Sequence, residues 1–243
     1  MTAKKKDTRS LAWEKRRVPS RGPKPGLSRI EIAEAAIRIA DAEGLGAVTM
    51  QRVARKLGVT TMALYRYFTS KSDLVAVMID SAEDSAAFGT RPVPWKDRLE
   101  EWARRCAAIY QKHPWFLEAT TTRRSVMGPN ELSWMEAALA LLEEAGLPPK
   151  ERYYAFLTII GHVRGYATFE RLKSNSGSSQ RWIRELDKLL RAEGSRYAVL
   201  QATLRSGAFT ENPEDAFDYG LNCILRGISA LETKIQSKNL TAE

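Results

Sequence analysis

The residues able to act as metal ligands or nucleophiles are few in this chain. It contains two histidines, His113 and His162, and two cysteines, Cys106 and Cys223. Two histidines cannot form a three-histidine metal site, and the cysteines do not have a C-x-x-C spacing. The adjacent glutamates at 143–144 cannot face each other on a helix as an acid and base pair. The sequence therefore predicts no catalytic residue, no metal and no cofactor, and it argues against an enzyme.

Positive charge is concentrated at the N-terminus. The chain of 243 residues has a formal net charge of +9, and residues 1–29 hold ten basic residues against two acidic ones. Proline and glycine interrupt this segment, which has few large apolar side chains with which to build a core or enter a bilayer. We predict a flexible basic arm over residues 1–27 that binds a polyanion, with nucleic acid favoured over a membrane. A tail that only improves solubility is the alternative. The candidate DNA-binding side chains of this arm are Arg16, Arg17, Arg21 and Lys24.

From residue 28 onward the apolar residues recur with helical spacing, and no convincing strand pattern is present. Ser28 and Glu31 have the spacing of a capping box, which predicts a first helix that ends near Gly44. The Ser and Gly content of residues 173–180 predicts a flexible loop. No apolar run is long enough to span a bilayer and no secretory signal pattern is present, so we expect a cytoplasmic protein without a membrane partner.

Residues 49–68 have the spacing of a helix-turn-helix. Thr49 caps a short amphipathic helix, Gly58 permits a tight turn, and a second short helical segment follows over residues 61–68. Ala54 is small where the two helices would cross. This arrangement allows the second helix to protrude into a DNA major groove about 12 Å wide.

The same stretch resembles a known family. The sequence TMQRVARKLGVTTMALYRYF at 49–68, followed by SKSDL at 70–74, is similar to the DNA-binding domain of TetR family transcriptional regulators. Later segments that resemble the effector domain of the tetracycline-repressor branch are WKDRL, HPW, GPN and EAGL, beginning at residues 95, 113, 128 and 144. The resemblance implies an all-α fold, with a three-helix DNA-binding domain over 28–80 and an effector-binding and dimerisation domain over 81–243.

The resemblance also implies which residues contact double-stranded DNA. Its base-contacting positions are Thr61, Met62, Tyr65 and Arg66, and its phosphate-contacting positions are Thr49, Tyr67 and Lys71. Side-chain chemistry agrees with this division, because Arg66 can bond a guanine with two hydrogen bonds and Thr61 or Met62 can contact a thymine methyl. The alternatives are a merely solvated Arg66 and tyrosines that are partly core.

The second domain is rich in aromatic residues, since 17 of the 21 in the chain follow residue 80. That number exceeds what a small helical core requires, and it predicts an apolar cavity for a small-molecule effector. The candidate lining residues are Trp102, Tyr110, Trp115, Trp134, Tyr154, Thr158, His162 and Tyr166. An aromatic stripe that forms only core or dimer surface is the alternative.

The family pairs two subunits through two C-terminal helices, and the matching segments here are residues 153–170 and 217–231. The resemblance implies interface positions at Phe169, Phe217, Leu221, Ile224, Leu225 and Ile228. A homodimer suits DNA recognition, because two recognition helices about 34 to 36 Å apart read successive major-groove faces of a palindrome. We therefore predict a ligand-responsive repressor. An architectural or ligand-independent DNA-binding dimer is the alternative.

Overall fold

The computed structural model describes residues 27–83, 92–121, 127–173, 176–210 and 213–240. Over these residues the chain consists of helices and turns and has no strand. The α-helices are α1 (Arg29–Glu43), α2 (Met50–Leu57), α3 (Thr61–Tyr65), α4 (Lys71–Ala82), α5 (Trp95–Lys112), α6 (Trp115–Thr121), α7 (Pro129–Glu144), α8 (Pro149–Lys173), α9 (Ser176–Ala192), α10 (Ala198–Arg205) and α11 (Pro213–Leu240). Short 3₁₀ turns lie at Leu45–Ala47 and Gly194–Tyr197.

The chain divides into two compact units, Met1–Phe156 and Leu157–Glu243, so α8 contributes to both. The first unit contains the predicted helix-turn-helix together with α5, α6 and α7, because α4 packs against both α6 and α7. The predicted domain boundary at residue 80 is therefore not the boundary between the two compact units.

Helix α1 begins at the predicted capping box. The Ser28 hydroxyl accepts a hydrogen bond from the Glu31 N–H at 3.1 Å, and the Glu31 carboxylate accepts one from the Ser28 N–H at 2.7 Å. The Ser28 hydroxyl also donates to the Glu31 carboxylate, at 2.8 Å. The two bonds that this carboxylate accepts from the Ser28 N–H and hydroxyl lower the pKa of Glu31, because they favour its ionised form. The helix ends at Gly44, whose φ of 83° suits glycine. The capping-box prediction is confirmed.

The helix-turn-helix is shorter than predicted at one end. The Thr49 hydroxyl caps α2 by accepting from the Arg52 N–H at 3.2 Å, and Gly58 ends that helix with a φ of 67°. Helix α3 stops at Tyr65 rather than at Phe68, and the backbone then turns so that Phe68 is buried. This turn directs the chain into α4. Helix α4 packs against α1 and so completes the domain that contains α1, α2 and α3.

Helices α5 and α8 follow the predicted pattern, and α5 ends at Lys112, before Pro114. The predicted loop over residues 173–180 is wrong at six of its eight positions, because α8 ends at Lys173 and α9 begins at Ser176. Serine costs well under 1 kcal/mol in a helix, so the amphipathic segment that follows can extend the helix backward. Helices α6 and α10 were not predicted, since each is too short for a clear apolar period.

None of the helices in these described residues combines the length and the apolar character that crossing a membrane requires.

Candidate nucleic-acid interface and effector region

Helix α3 and the residue directly after it expose three of the four side chains that are predicted to contact bases. Met62 is 74% exposed, and Tyr65 and Arg66 are also exposed, while Thr61 is half-buried. Leu64 lies on the opposite face and is fully buried, as is Phe68 beyond the helix end. Leu64 and Phe68 anchor α3 to the rest of the helix-turn-helix domain. The opposite face of α3 is exposed and can enter a DNA major groove.

Thr60 is a structural residue of this region that the sequence analysis missed. Its hydroxyl accepts a hydrogen bond from the Ala63 N–H at 3.2 Å and so caps the start of α3. A short helix with few internal bonds depends strongly on such a cap. The signal was present in the sequence as a threonine directly before the segment, but the adjacent Thr61 made the starting residue ambiguous.

The three predicted phosphate-contacting residues lie around α3, and each forms a hydrogen bond within the protein. Thr49 caps α2, and the Tyr67 carbonyl accepts from Arg29 Nε at 3.3 Å. Lys71 is exposed, and its Nζ donates to the Leu45 carbonyl at 3.1 Å. The lysine therefore contacts the 3₁₀ turn after α1 while its side chain stays exposed.

Helix α2 adds basic side chains that the sequence analysis did not assign. Arg55 and Lys56 are exposed in its last turn, where positive charge complements the helix dipole. Arg52 forms an ion pair with Glu43. The predicted arm residues Arg16, Arg17, Arg21 and Lys24 lie outside the described residues.

Three hydrogen bonds join the end of α4 to the start of α7. The buried Asp80 carboxylate accepts from the N–H groups of Asn130 at 2.8 Å and Glu131 at 3.2 Å, and Asn130 Nδ2 donates to the Asp80 carbonyl at 2.8 Å. Burial raises the pKa of Asp80, although these two N–H bonds act in the opposite direction. The carboxylate therefore caps a helix that begins 49 residues after it in the chain.

Two tryptophans predicted to line the effector cavity form a buried cluster in the first unit. Trp102 Nε1 donates to the Trp134 carbonyl at 2.9 Å, and the two ring centroids are 6.2 Å apart. The Phe156 ring lies 6.1 Å from the Trp102 ring, and the Arg105 guanidinium lies 5.3 Å above Trp134. The indole of Trp102 is thus both buried and hydrogen-bonded, which gives it a fixed orientation.

Tyr110 and Trp115 are also buried, and they meet through Phe116. The Tyr110 and Phe116 rings pack edge to face at 5.1 Å, and the Phe116 and Trp115 rings lie 5.8 Å apart. Trp115 Nε1 donates to the Asp41 carboxylate at 2.7 Å, so its polar edge is directed at α1. Tyr154, by contrast, is 54% exposed.

His162 and Tyr166 lie in the second unit, on α8, against the start of α11. His162 Nε2 donates to the Phe217 carbonyl at 2.9 Å, and its ring stacks on Phe217 with centroids 5.1 Å apart. The Tyr166 ring lies 4.8 Å from Phe217. Thr158 is exposed. The predicted cavity residues are therefore distributed over separate clusters, and their role in binding an effector stays a prediction.

An open groove of about 490 Å³ lies along α5, and none of the predicted cavity residues lines it. Its lining residues are mostly charged: Asp97, Glu100, Glu101, Arg104, Arg105 and Ala108. A groove of this composition does not match the apolar cavity that the aromatic content predicts.

Most of the predicted dimer-interface residues are already buried within the chain. These are Phe217, Leu221, Leu225 and Ile228, while Ile224 is half-buried and Phe169 is exposed. Buried side chains have little surface left for a partner subunit, so burial within the chain does not favour these four positions, and their role in an intersubunit contact stays a prediction. The most apolar stripe of α11 is the one that packs in its own chain, as the helical period of an amphipathic helix favours.

The exposed face of α11 carries Tyr219, Cys223, Arg226 and Gly227. The exposed face of α8 in the same unit carries Leu157, Gly161, Gly165 and Phe169. These faces combine aromatic or apolar side chains with glycines, and the sequence analysis identified only Phe169 among them.

Comparisons with known proteins agree with this geometry. Residues 32–78 match the family model for bacterial regulatory proteins of the tetR family, and residues 89–231 match the model for the tetracyclin repressor-like C-terminal domain. A curated relative from Streptomyces coeruleorubidus, the HTH-type transcriptional repressor DrrR1, is 36% identical over an alignment of 236 residues, and the match covers 92% of this chain and 85% of that protein. An HTH-type transcriptional regulator from Saccharopolyspora erythraea is 26% identical over 242 residues, covering 95% of this chain and 98% of that protein.

Solved structures share the fold. Apo ActR from Streptomyces coelicolor superposes with a TM-score of 0.76 at 22% identity, covering 88% of this chain and 100% of the other. ActR in complex with actinorhodin gives a TM-score of 0.74 at 24% identity, covering 86% of this chain and 99% of the other. The all-α architecture with an N-terminal helix-turn-helix, predicted from the sequence, is confirmed.

Proposed function

This chain belongs to the TetR family of bacterial transcriptional regulators, and from that premise we propose that it represses transcription as a homodimer on a palindromic operator and releases the operator when a small molecule binds. The observation that carries the proposal is the exposed face of α3, where Met62 and Tyr65, and Arg66 directly after the helix, project from a scaffold held by buried Leu64. The name of the 36% identical relative, a transcriptional repressor, supports repression rather than activation.

Base readout and phosphate contact are assigned to different residues. Thr61, Met62, Tyr65 and Arg66 contact base edges, with Arg66 suited to a guanine and Met62 to a thymine methyl. Thr49, Tyr67 and Lys71 contact phosphates and set the register of the helix on the duplex. Arg55 and Lys56 at the end of α2 add positive charge beside this surface. The basic arm adds further phosphate or minor-groove contacts.

The effector binds among the aromatic side chains of the C-terminal domain. A structure of ActR in complex with actinorhodin supports a ligand-binding role for this type of fold. The predicted contacts that lie in aromatic clusters are, in the first unit, Trp102, Trp134, Tyr110 and Trp115, and, in a separate cluster of the second unit, His162 and Tyr166. Their chemistry suits an apolar molecule that carries an aromatic ring and a few hydrogen-bonding groups.

The homodimer forms through the exposed faces of α8 and α11. Gly161 and Gly165 on α8, and Gly227 on α11, have open space where a side chain would project, so a partner helix can approach closely. Tyr219 and Phe169 supply exposed aromatic surface beside them. Aromatic side chains around a close helix contact are typical of a stable interface.

The experiment that tests the function begins with selection of a duplex from a random pool by the full-length protein. Fluorescence anisotropy then measures affinity for that duplex and for a scrambled one, at two salt concentrations. We expect selective binding that weakens steeply with salt, and a shallower salt dependence for a variant that lacks residues 1–27. Equal affinity for both duplexes would contradict a specific repressor and would favour an architectural DNA binder.

A further inference from the structure

The carboxylate of Asp41 connects α1 of the helix-turn-helix to the corner between α5 and α6. Its Oδ1 atom lies 2.7 Å from His113 Nδ1 and 2.7 Å from Trp115 Nε1. Both donors are buried, with His113 5% and Trp115 2% exposed. We call these three residues the Asp41 bridge. They are brought together across more than 70 positions of the sequence.

Local helix energetics do not explain an acid at this position. Asp41 lies in the last turn of α1, where the helix dipole disfavours negative charge, and that turn has no basic residue. The aspartate is therefore explained by its tertiary contacts, the hydrogen bonds with His113 and Trp115. An ionised carboxylate only accepts hydrogen bonds, so His113 Nδ1 carries the proton and its ring orientation is fixed. Asp41 itself is exposed, so loss of its carboxylate would leave solvent where the two buried donors now have a fixed acceptor.

On one side, the bridge reaches the surface that contacts DNA. Helix α6, which begins with Trp115, also packs against the 3₁₀ turn Leu45–Ala47. The Leu45 carbonyl of that turn accepts the hydrogen bond from Lys71 Nζ. The α5–α6 corner is therefore in contact with both the C-terminal end of α1 and the turn Leu45–Ala47 that Lys71 contacts.

On the other side, the bridge reaches an aromatic series. The Trp115 ring contacts Phe116, and Phe116 contacts Tyr110 on α5. Tyr110 and Trp115 are both among the predicted effector contacts. A ligand that displaces either ring would therefore change the geometry of the hydrogen bonds to Asp41.

We propose that Asp41 is a positioning residue that couples two parts of the protein. One is the aromatic series of Tyr110, Trp115 and Phe116, and the other is the turn Leu45–Ala47 that Lys71 contacts. A change in the geometry of either part then changes the geometry of the other. This inference rests on the proposed function, because it assigns the regulation of the same DNA-binding surface. Coupling between two sites is reciprocal, so DNA binding must alter the bridge just as an effector would. The bridge is therefore testable with DNA alone, before any effector is identified.

The test follows the indole N–H resonance of Trp115 in full-length protein labelled with ¹⁵N-tryptophan, assigned by its absence in Trp115→Phe. The selected duplex is titrated, and anisotropy is measured in parallel. We expect the Trp115 resonance to shift with the same midpoint as the anisotropy. The shift should shrink to less than half in Asp41→Ala and should persist in Asp41→Asn, whose amide oxygen still accepts a hydrogen bond.

The matched control is Glu34→Ala, which removes the same charge from an exposed position of the same helix. It should leave the shift unchanged. If Asp41→Ala does not fold, Trp115→Phe replaces it, with hydrogen exchange of the α6 amides as the readout and loss of their DNA-dependent protection as the expected result. DNA-dependent protection of α6 that persists in Trp115→Phe would overturn the bridge.

Three further results would overturn the proposal. Saturation of the protein by the duplex without a Trp115 shift would refute the bridge and leave the proposed function intact. A shift of equal size in Asp41→Ala would also refute it. Failure to select any duplex would refute the proposed function, and the bridge with it.

Discussion

The backbone at Gly128 approaches the carboxylate of Asp80 so closely that a Cβ atom on residue 128 would lie 2.0 Å from Asp80 Oδ1. Gly128 itself has an extended backbone that any residue can adopt, with a φ of −85°. The requirement for glycine is therefore steric and comes from a residue 48 positions earlier in the chain.

The first prediction concerns this contact. Gly128→Ala should lower the free energy of unfolding by about 2 to 4 kcal/mol, because Asp80 must move and lose its bonds to the N–H groups of α7. Urea unfolding followed by circular dichroism measures the loss. Gly46→Ala is the control, since a Cβ there meets nothing within 4 Å, and it should change the stability little. Equal stability of the two variants would contradict the steric argument.

The second prediction is a pH dependence. The pKa of Asp80 is raised in the folded protein, chiefly by burial, so folding favours its protonated form. Its contribution to stability is then fully present below its ordinary pKa of 3.8 and is lost as the pH rises through the raised value. The unfolding free energy of the wild type, relative to Asp80→Asn, should fall over this interval.

Glu31 provides a control of opposite sign for that measurement. Its pKa is lowered by the bonds from Ser28, so its contribution is present above its ordinary pKa of 4.5 and is lost as the pH falls through the lowered value. Relative to Glu31→Gln, the wild type should therefore gain stability as the pH rises. A difference between wild type and Asp80→Asn that rises in the same way would refute the assigned direction for Asp80.

The third prediction separates base readout from phosphate contact. Arg66→Ala should cost about 1 to 3 kcal/mol of binding free energy on the selected duplex and should relax the preference at one base pair. Lys71→Ala should weaken binding to all duplexes equally and reduce the salt slope by about one. Anisotropy against a panel of single-base variants distinguishes the two. Arg184→Ala, at an exposed position of α9, should leave both properties unchanged.

The fourth prediction separates the two faces of α11. Leu225→Ala should lower the free energy of unfolding by about 2 to 5 kcal/mol, because Leu225 is fully buried in its own chain. Gly227→Arg should leave the chain folded and shift the sedimentation profile from dimer to monomer. Ala202→Arg, at an exposed position of α10, is the matched control and should remain dimeric. A dimeric Gly227→Arg would contradict the proposed interface.

The sequence alone determined much of the N-terminal fold, because the relevant signals are local. The bonds between Ser28 and Glu31, the Thr49 cap and the turn at Gly58 all connect residues within four positions. Interactions of this range are decided by residue type and spacing. The exposed face of α3 follows from the same period, since Leu64 is its apolar position and Met62 and Tyr65 are on the other side.

Only the tertiary structure decided the contacts between distant segments. Asp41 and Trp115 are 74 positions apart, and Asp80 and Asn130 are 50 positions apart, so no local sequence pattern predicts either contact. The apolar period of α11 predicted a helix correctly, but it could not tell whether Leu221 and Leu225 pack in their own chain or in a partner. Packing of an apolar stripe within the chain and packing against a partner subunit have the same physical cause, which is the removal of apolar surface from water. Only the folded chain therefore shows which stripe of α11 is still exposed.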